Sequence, residues 1–226
     1  HNIRKETAAF IQNNKHVRVI GLTATPFTKG LSELYSAIVS PVTAETLVAS
    51  GRLVPLRVFI AKEADMRGAK TVAGEWSQKE TSERGIKIVG DVVAEWQRIS
   101  TEVFGGPQKT IVFAAGVDHA IELSRRFAAI GENFVPLSYK DDWEFKRDII
   151  EDFSRPDTTI RGLIATDILT KGFDVPDVMI GISARPFRKS FSSHVQQVGR
   201  VIRSHPGKSF AVWIDHSGNY LRFREA

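Results

Sequence analysis

Near the carboxy end the chain reads Gln196-Gln197-Val198-Gly199-Arg200-Val201-Ile202-Arg203. On a helix, Arg200 and Arg203 share one face, and Gln196 lies one turn earlier on the same side. Gly199 lets a backbone or a ligand come close. Two forked guanidinium groups aimed one way suit the spread charge of a transferring phosphoryl group. The competing reading is a pair of arginines on a solvated helix face. Against it, Val195, Val198, Val201 and Ile202 already supply a core face, and no acid stands close in the sequence to neutralise the arginines.

Two further segments carry polar chemistry at the ends of apolar runs. Ile164-Ala165-Thr166-Asp167 is followed by Lys171-Gly172-Phe173-Asp174-Val175-Pro176. Thr166 can offer a hydroxyl and a backbone N–H to a phosphate. Lys171-Gly172 places charge beside bare backbone, and Asp174 can accept from a sugar hydroxyl. Taken alone, a Thr-Asp pair at a strand end is more often a turn former. The second segment is Thr23-Ala24-Thr25-Pro26, directly after the apolar run Val17 to Leu22.

These residues need a scaffold, and the pattern supplies one. Helices are predicted over 3–14, 43–50, 79–104, 117–130, 142–153 and 190–203 from apolar spacing and caps. Strands are predicted over 17–22, 56–61, 110–114, 134–137, 160–165, 178–182 and 210–214. Gly90 is a weak point in the long helix, and 62–77 is polar and aperiodic, so it reads as a loop. From Thr110 onward, strand and helix alternate with short connections. The expected fold is therefore α/β, a parallel sheet covered by helices on both faces. Ligands on such sheets bind outside the carboxyl ends of the strands, which points to the loops after Ala114, Ala165 and Ile182.

Composition narrows the function classes. The chain has 226 residues, 42% hydrophobic and 25% charged, with no cysteine. Disulfides, iron–sulfur clusters and thiolate zinc sites are excluded. No apolar run approaches the ~20 residues of a membrane span, and no secretory signal opens the chain, so a cytoplasmic location and no membrane partner are expected. Net charge is 31 − 26 = +5, unevenly spread. Between Val178 and Ile214 there are no acids but six cations: Arg185, Arg188, Lys189, Arg200, Arg203 and Lys208. A local basic field suits a polyanion, nucleic acid or nucleotide phosphate, although a solvated basic face would look the same.

Taken in order, the segments resemble those of superfamily 2 helicases and translocases, in the branch of restriction-enzyme-like and repair-type DEAD/DEAH helicases. Thr23 to Pro26 is similar to motif III, Thr110 to Ala114 to motif IV, Ile164 to Asp174 to motif V, and Gln196 to Arg203 to motif VI. Flanking segments are similar as well: Thr46-Leu47-Val48, Gly51-Arg52-Leu53-Val54-Pro55, Ala184-Arg185-Pro186 and Ile214-Asp215-His216 with Gly218-Asn219. The resemblance covers nearly the whole chain. It departs at Leu137-Ser138-Tyr139-Lys140-Asp141, where many relatives have a turn ending in His-Gly, and at 62–77, which matches no family pattern.

The resemblance implies a RecA-like fold and an ATP-dependent motor on nucleic acid, DNA first and RNA second. Arg200 and Arg203 would be arginine fingers, and Gln196 would position the γ-phosphate or the attacking water. Gly172 and Asp174 would bind ATP. Thr166, Ala114, Ala115, Lys171 and Arg185 would hold the strand. Thr23 and Thr25 would couple the two domains. ATP and Mg²⁺ would be cofactors of a longer protein, with neither held by this chain alone.

The family's phosphate loop, Gly-x-x-x-x-Gly-Lys-Thr/Ser, is missing. Gly207-Lys208-Ser209 mimics its end, but Ile202 stands where its first glycine belongs, and it precedes a strand rather than a helix. No Asp-Glu-x-His box occurs, and His1 stands roughly 22 residues before motif III, about where that box would end. Residues 1–53 are thus expected to be the tail of a first RecA-like domain, with motif III and a connector, and 54–226 the complete second one. The partner domain would be that first domain. A different class of reading is a stand-alone nucleic-acid-binding RecA-like module without ATPase activity. A nicotinamide-type enzyme needs Gly-x-Gly-x-x-Gly after a strand, and none occurs. Trp76, Trp96, Trp143 and Trp213 read as packing residues. His194, His205 and His216 fit no ligand spacing, so no metal site is expected.

Overall fold

A computed structural model describes residues 5–22, 32, 35–39, 42–166 and 174–224. Six parallel strands form one sheet: β1 (Leu56–Ile60), β4 (Thr110–Phe113), β5 (Phe134–Leu137), β6 (Gly162–Ala165), β7 (Ile180–Ser183) and β8 (Ala211–Asp215), ordered β1-β8-β7-β4-β6-β5. The helices are α1 (Lys5–Asn13), α2 (Ala44–Ala49), α3 (Gln78–Ile86), α4 (Val89–Phe104), α5 (Val117–Ala128), α6 (Trp143–Ser154), α7 (Phe191–Val201) and α8 (Asn219–Phe223). A small antiparallel hairpin, β2 (Thr71–Val72) and β3 (Glu75–Trp76), completes the elements.

Strand alternation builds two cores. Val112, Ala114, Ile164, Ile182 and Ile214 face α4 and α5, where Trp96, Ile99, Leu123 and Phe127 are buried. Ile111, Phe113, Leu163, Ala165 and Trp213 face the other way, against Phe153 of α6 and Val201 of α7. A period-2 pattern with both faces apolar is what a sheet with two helix layers requires. Gly181 lets α7 sit close: a Cβ there would fall 2.6 Å from the Trp213 ring and 2.7 Å from Val201. The chain runs from β4 to β5 on one side and from β6 to β7 on the other. That reversal around β4 opens a crevice at the carboxyl ends, where the loops after β4, β6 and β7 converge.

Four expectations change. The apolar run 17–22 forms no strand. It pairs with nothing in the sheet, and Ile20 and Leu22 are 86% and 95% exposed. A strand needs a ladder partner, and the described residues offer it none. The long helix 79–104 is two helices, broken at Lys87-Ile88 rather than at Gly90. Gly85 presses α3 against the His119 ring of α5, where a Cβ would meet the ring at 2.6 Å, whereas α4 follows the sheet. The loop 62–77 contains the β2–β3 hairpin, turned by Ala73 and Gly74, both at positive φ. Trp143 does not pack: it is 65% exposed at the first position of α6. Trp96 and Trp213 are fully buried as expected, and Trp76 lies beside the Arg222 guanidinium, 4.8 Å from its ring centre.

Candidate functional site

Helix α7 carries the first group of site residues. Its buried Val201 anchors it on the sheet, leaving Gln196 and Arg200 half-buried on the outer side. The helix stops sooner than its sequence pattern predicts. The N–H of Val54 takes the carbonyl of Ile202 at 2.9 Å, and Arg203 forms an antiparallel bridge with Leu53. Arg203 therefore leaves the helix, and the shared helical face expected for the two arginines is not what aligns them. The connector Leu53-Val54 does so instead.

An acid does neutralise one of these arginines. Asp174, on the loop after β6, accepts a hydrogen bond from Arg203 Nη1. Arg200 stands near both: burial and the neighbouring Arg203 lower the affinity of its guanidinium for a proton, while Asp174 raises it. The expected nucleotide-side residues Asp174, Arg200 and Arg203 thus form one cluster of two cations and one carboxylate. The carboxylate is 29 residues from Arg203, so nearest-neighbour reasoning on the sequence could not see it. Gln196 keeps its own company, its amide within 3.3 Å of the Ser192 hydroxyl.

Sequence reasoning passed over Lys208 as one more surface cation. Its side chain is buried, and its ammonium donates to the carbonyls of Pro176 at 2.9 Å, Val178 at 2.5 Å and Val201 at 2.7 Å. It ties the end of α7 to the loop that carries Asp174. Burial pulls its pKa down to about 8, with Asp177 opposing. Lys208 is therefore withdrawn from the basic surface. The signal available in the sequence was its place straight after a Pro-Gly turn and just before a buried strand.

The second group lies at the opposite end of the sheet: the first stands by the amino ends of the strands, where Arg203 bridges Leu53 ahead of β1 and Lys208 reaches Val178 ahead of β7, and the second follows their carboxyl ends. Arg185 Nη1 donates to the Thr166 carbonyl at 3.0 Å, bringing the loops after β6 and β7 together. The backbone expected to face a phosphate is turned inward. Ala114 and Ala115 are fully buried; the Ala114 N–H goes to Ala165, and the Ala115 N–H to Nδ1 of His119 at 3.2 Å. Thr166 is buried, its N–H goes to Leu137, and its hydroxyl has no partner. Among the described residues, Arg185 brings a cationic side chain to that edge. Burial pushes the His119 imidazole down to about 4, so it stays neutral and its Nδ1 can accept.

The loop 184–190 that leads into α7 is braced from two sides. Asn219 accepts from the Phe187 N–H at 2.7 Å and donates to the Arg185 carbonyl at 2.9 Å. The Glu75 carboxylate accepts from the N–H groups of Arg188 and Lys189 and from the Ser190 hydroxyl. Thr23, Thr25, Lys171 and Gly172 lie outside the described residues. Among the described residues no group of three His, Asp or Glu side chains could hold a metal ion, and no helix is long and apolar enough to cross a membrane.

Comparison with known proteins places this geometry. Residues 97–205 match the family described as helicase conserved C-terminal domain. A "51.5 kDa protein" of Lactococcus phage (isolate 7-9) is 28% identical over 205 residues, covering 89% of this chain and 43% of that protein. The chain thus spans less than half the length of that curated relative. Among solved structures, a fragment of a putative HsdR subunit of a type I restriction enzyme from Vibrio vulnificus YJ016 superposes with a TM-score of 0.62 at 20% identity, over 80% of this chain and 35% of that one. The ATP-dependent Type ISP restriction-modification enzyme LlaBIII bound to DNA superposes with a TM-score of 0.56 at 14% identity, over 76% of this chain and 12% of that one. The six-stranded parallel sheet is a RecA-like fold, and residues 97–205 of it match the helicase conserved C-terminal domain.

Proposed function

We propose that the chain is the second motor domain of an ATP-dependent helicase or translocase that acts on DNA. The observation that carries this reading is the cluster of Asp174, Arg200 and Arg203 at the end of α7, by the amino ends of the strands, while Arg185 stands at their carboxyl ends. The DNA preference leans on the DNA-bound restriction-modification enzyme of like fold.

A nucleoside triphosphate fits the Asp174, Arg200 and Arg203 cluster. Two guanidinium groups face one region, and the carboxylate beside them can accept from a ribose hydroxyl. ATP, when bound, supplies the γ-phosphoryl group whose transfer to water drives the motor. Arg200 and Arg203 hold that group and stabilise the charge that grows on its oxygens. Gln196 orients the water. Asp174 aims Arg203 and, with Gly172, lines the sugar side. Lys208 keeps the Asp174 loop and the end of α7 in fixed register. Mg²⁺ has no built cage among the described residues, so a partner domain is assigned its protein ligands. That partner is a first RecA-like domain, to which Thr23 and Thr25 couple this one. Thr166, Lys171, Arg185 and the Ala114–Ala115 strand end form the track for the nucleic acid. Ala114, Ala115 and Thr166 shape its floor rather than donate to it, because their N–H groups are spent within the fold.

The chain contains no phosphate loop, so by itself it is expected to leave ATP intact. The test is ATP hydrolysis by a longer protein that joins this chain to a P-loop domain, with single-stranded DNA, single-stranded RNA or neither. The reading expects stimulation by DNA above RNA, and none from the 226-residue chain alone. Hydrolysis by the chain alone, or a joined protein indifferent to every strand, would overturn it.

A further inference from the structure

We propose that the β2–β3 hairpin is an autoinhibitory strap, whose Glu75 carboxylate occupies the seat on the Arg188–Ser190 turn that a backbone phosphate takes when a single strand of nucleic acid binds. The inference rests on the strand-binding reading above, because Arg185 of the same loop belongs to the proposed track.

The seat is built to hold an oxyanion. The Arg188 N–H donates to one Glu75 oxygen at 2.8 Å, and the Lys189 N–H and the Ser190 hydroxyl donate to the other at 2.7 and 2.9 Å. Three donors on two oxygens, beside the exposed side chains of Arg188 and Lys189, serve a phosphodiester as well as a carboxylate. Charge in this region favours the phosphodiester. Residues 70–77 and 184–190 hold four cations, Lys70, Arg185, Arg188 and Lys189, and Glu75 is the one acid among them. Arg222 lies beneath Trp76, with Glu63 close to it at Gly218. The acids on either side of the hairpin are spent on neighbours: Asp65 pairs with Arg67, and Glu80 with Arg84. Once the Glu75 carboxylate lifts out, the turn keeps its positive charge, and its donors call for another acceptor.

The hairpin can leave without opening the core. Among the described residues, none from 65 to 80 belongs to either apolar cluster, and Thr71, Val72 and Ala73 are exposed. A two-stranded hairpin is marginal by itself, and Ala73, at a φ of 52°, adds strain. Polar contacts hold it down. Besides the bonds to Glu75, the Gly74 carbonyl accepts from Arg188 Nη1 at 3.3 Å, and the Arg222 guanidinium lies 4.8 Å from the Trp76 ring centre. Each of these contacts engages a cation or an N–H group for which a polyanion competes.

The sign of one substitution separates a strap from a brace. Labelled oligothymidylate is titrated with the 226-residue chain and with Glu75→Gln, and anisotropy is followed. The variant should bind about 3- to 10-fold more tightly, the gain expected when a closed state that excludes the ligand is unlatched. Adding Arg188→Ala to Glu75→Gln should cancel that gain. The motion is read separately in Trp143→Phe. Trp96 and Trp213 are fully buried, so Trp76 is then the tryptophan that reports. Strand binding should shift its emission and raise its quenching by acrylamide. This readout needs no change at Glu75, and decides the matter even if Glu75→Gln does not fold. Equal or weaker binding by Glu75→Gln would make Glu75 a brace and overturn the strap, leaving the strand-binding reading standing. Strand binding with unchanged Trp76 emission and quenching would do the same. Failure of both wild type and Glu75→Gln to bind any single strand would remove that reading, and the strap with it.

Discussion

The two ends of the sheet are built on opposite plans. On the side of Asp174, Arg200 and Arg203, charged side chains meet at a partly solvated rim, with a buried ammonium behind them. On the side of Ala114, Ala115 and Thr166, uncharged residues are buried and their N–H groups are satisfied within the fold. Charge at a rim can be redirected by an arriving ligand for little cost. A buried backbone cannot move without losing hydrogen bonds worth about 1 kcal/mol each. On the proposed reading, the first end would respond to a phosphate and the second would hold shape beneath a strand.

The largest effect expected from this contrast lies behind the rim. Lys208→Met would leave three carbonyls without their donor, and should lower stability by about 3–5 kcal/mol in denaturant unfolding. A wild-type-like midpoint would detach Lys208 from the design. Its pKa adds a signature. The unfolded chain holds this proton up to about 10.5, whereas the folded chain releases it near 8. Stability should therefore rise with pH through that window, and Lys208→Met should flatten the rise.

His119 supplies the next effect, on the shape-holding side. Its folded pKa of about 4 lies below the unfolded 6.5. Its contribution is full above about 6.5 and is lost as pH falls toward 4, a change of about 3 kcal/mol. His119→Gln should remove that acid sensitivity in thermal melts between those values. Arg185→Ala should weaken strand binding a few-fold and reduce the salt slope by about one ion, measured by titration at several salt concentrations. The smallest effect belongs to Asp174→Asn. The Arg203–Asp174 pair is partly solvated, so its loss should cost no more than about 1 kcal/mol of stability. A larger loss would mean that the rim is as rigid as the core.

Much of this could be read from local pattern. The strands β4 to β8 and the helices α5 to α7 follow from alternation and apolar stripes, and α2 from its cap Thr43. What local pattern missed was set by distant partners. Arg203 leaves the helix because Val54, far away in sequence, claims the carbonyl of Ile202. Asp174 neutralises Arg203 only once the sheet brings their loops together. Lys208 looks like any surface lysine until three carbonyls close around it. The run 17–22 has the composition of a buried strand, but a strand also needs a neighbour. Trp143 was misplaced for the converse reason: its type suggests burial, and only the filled core face of α6 reveals that it has none.

The most direct test of the account is the rate of ATP hydrolysis by a protein joining this chain to a P-loop domain, at saturating strand and ATP, with and without Arg200→Ala. Loss of a group that stabilises developing phosphoryl charge should lower that rate by ~10³–10⁵-fold, with ATP affinity changed only a few-fold. A rate retained to within about tenfold would show that Arg200 is not the group that stabilises this charge, and the arginine cluster would need another purpose.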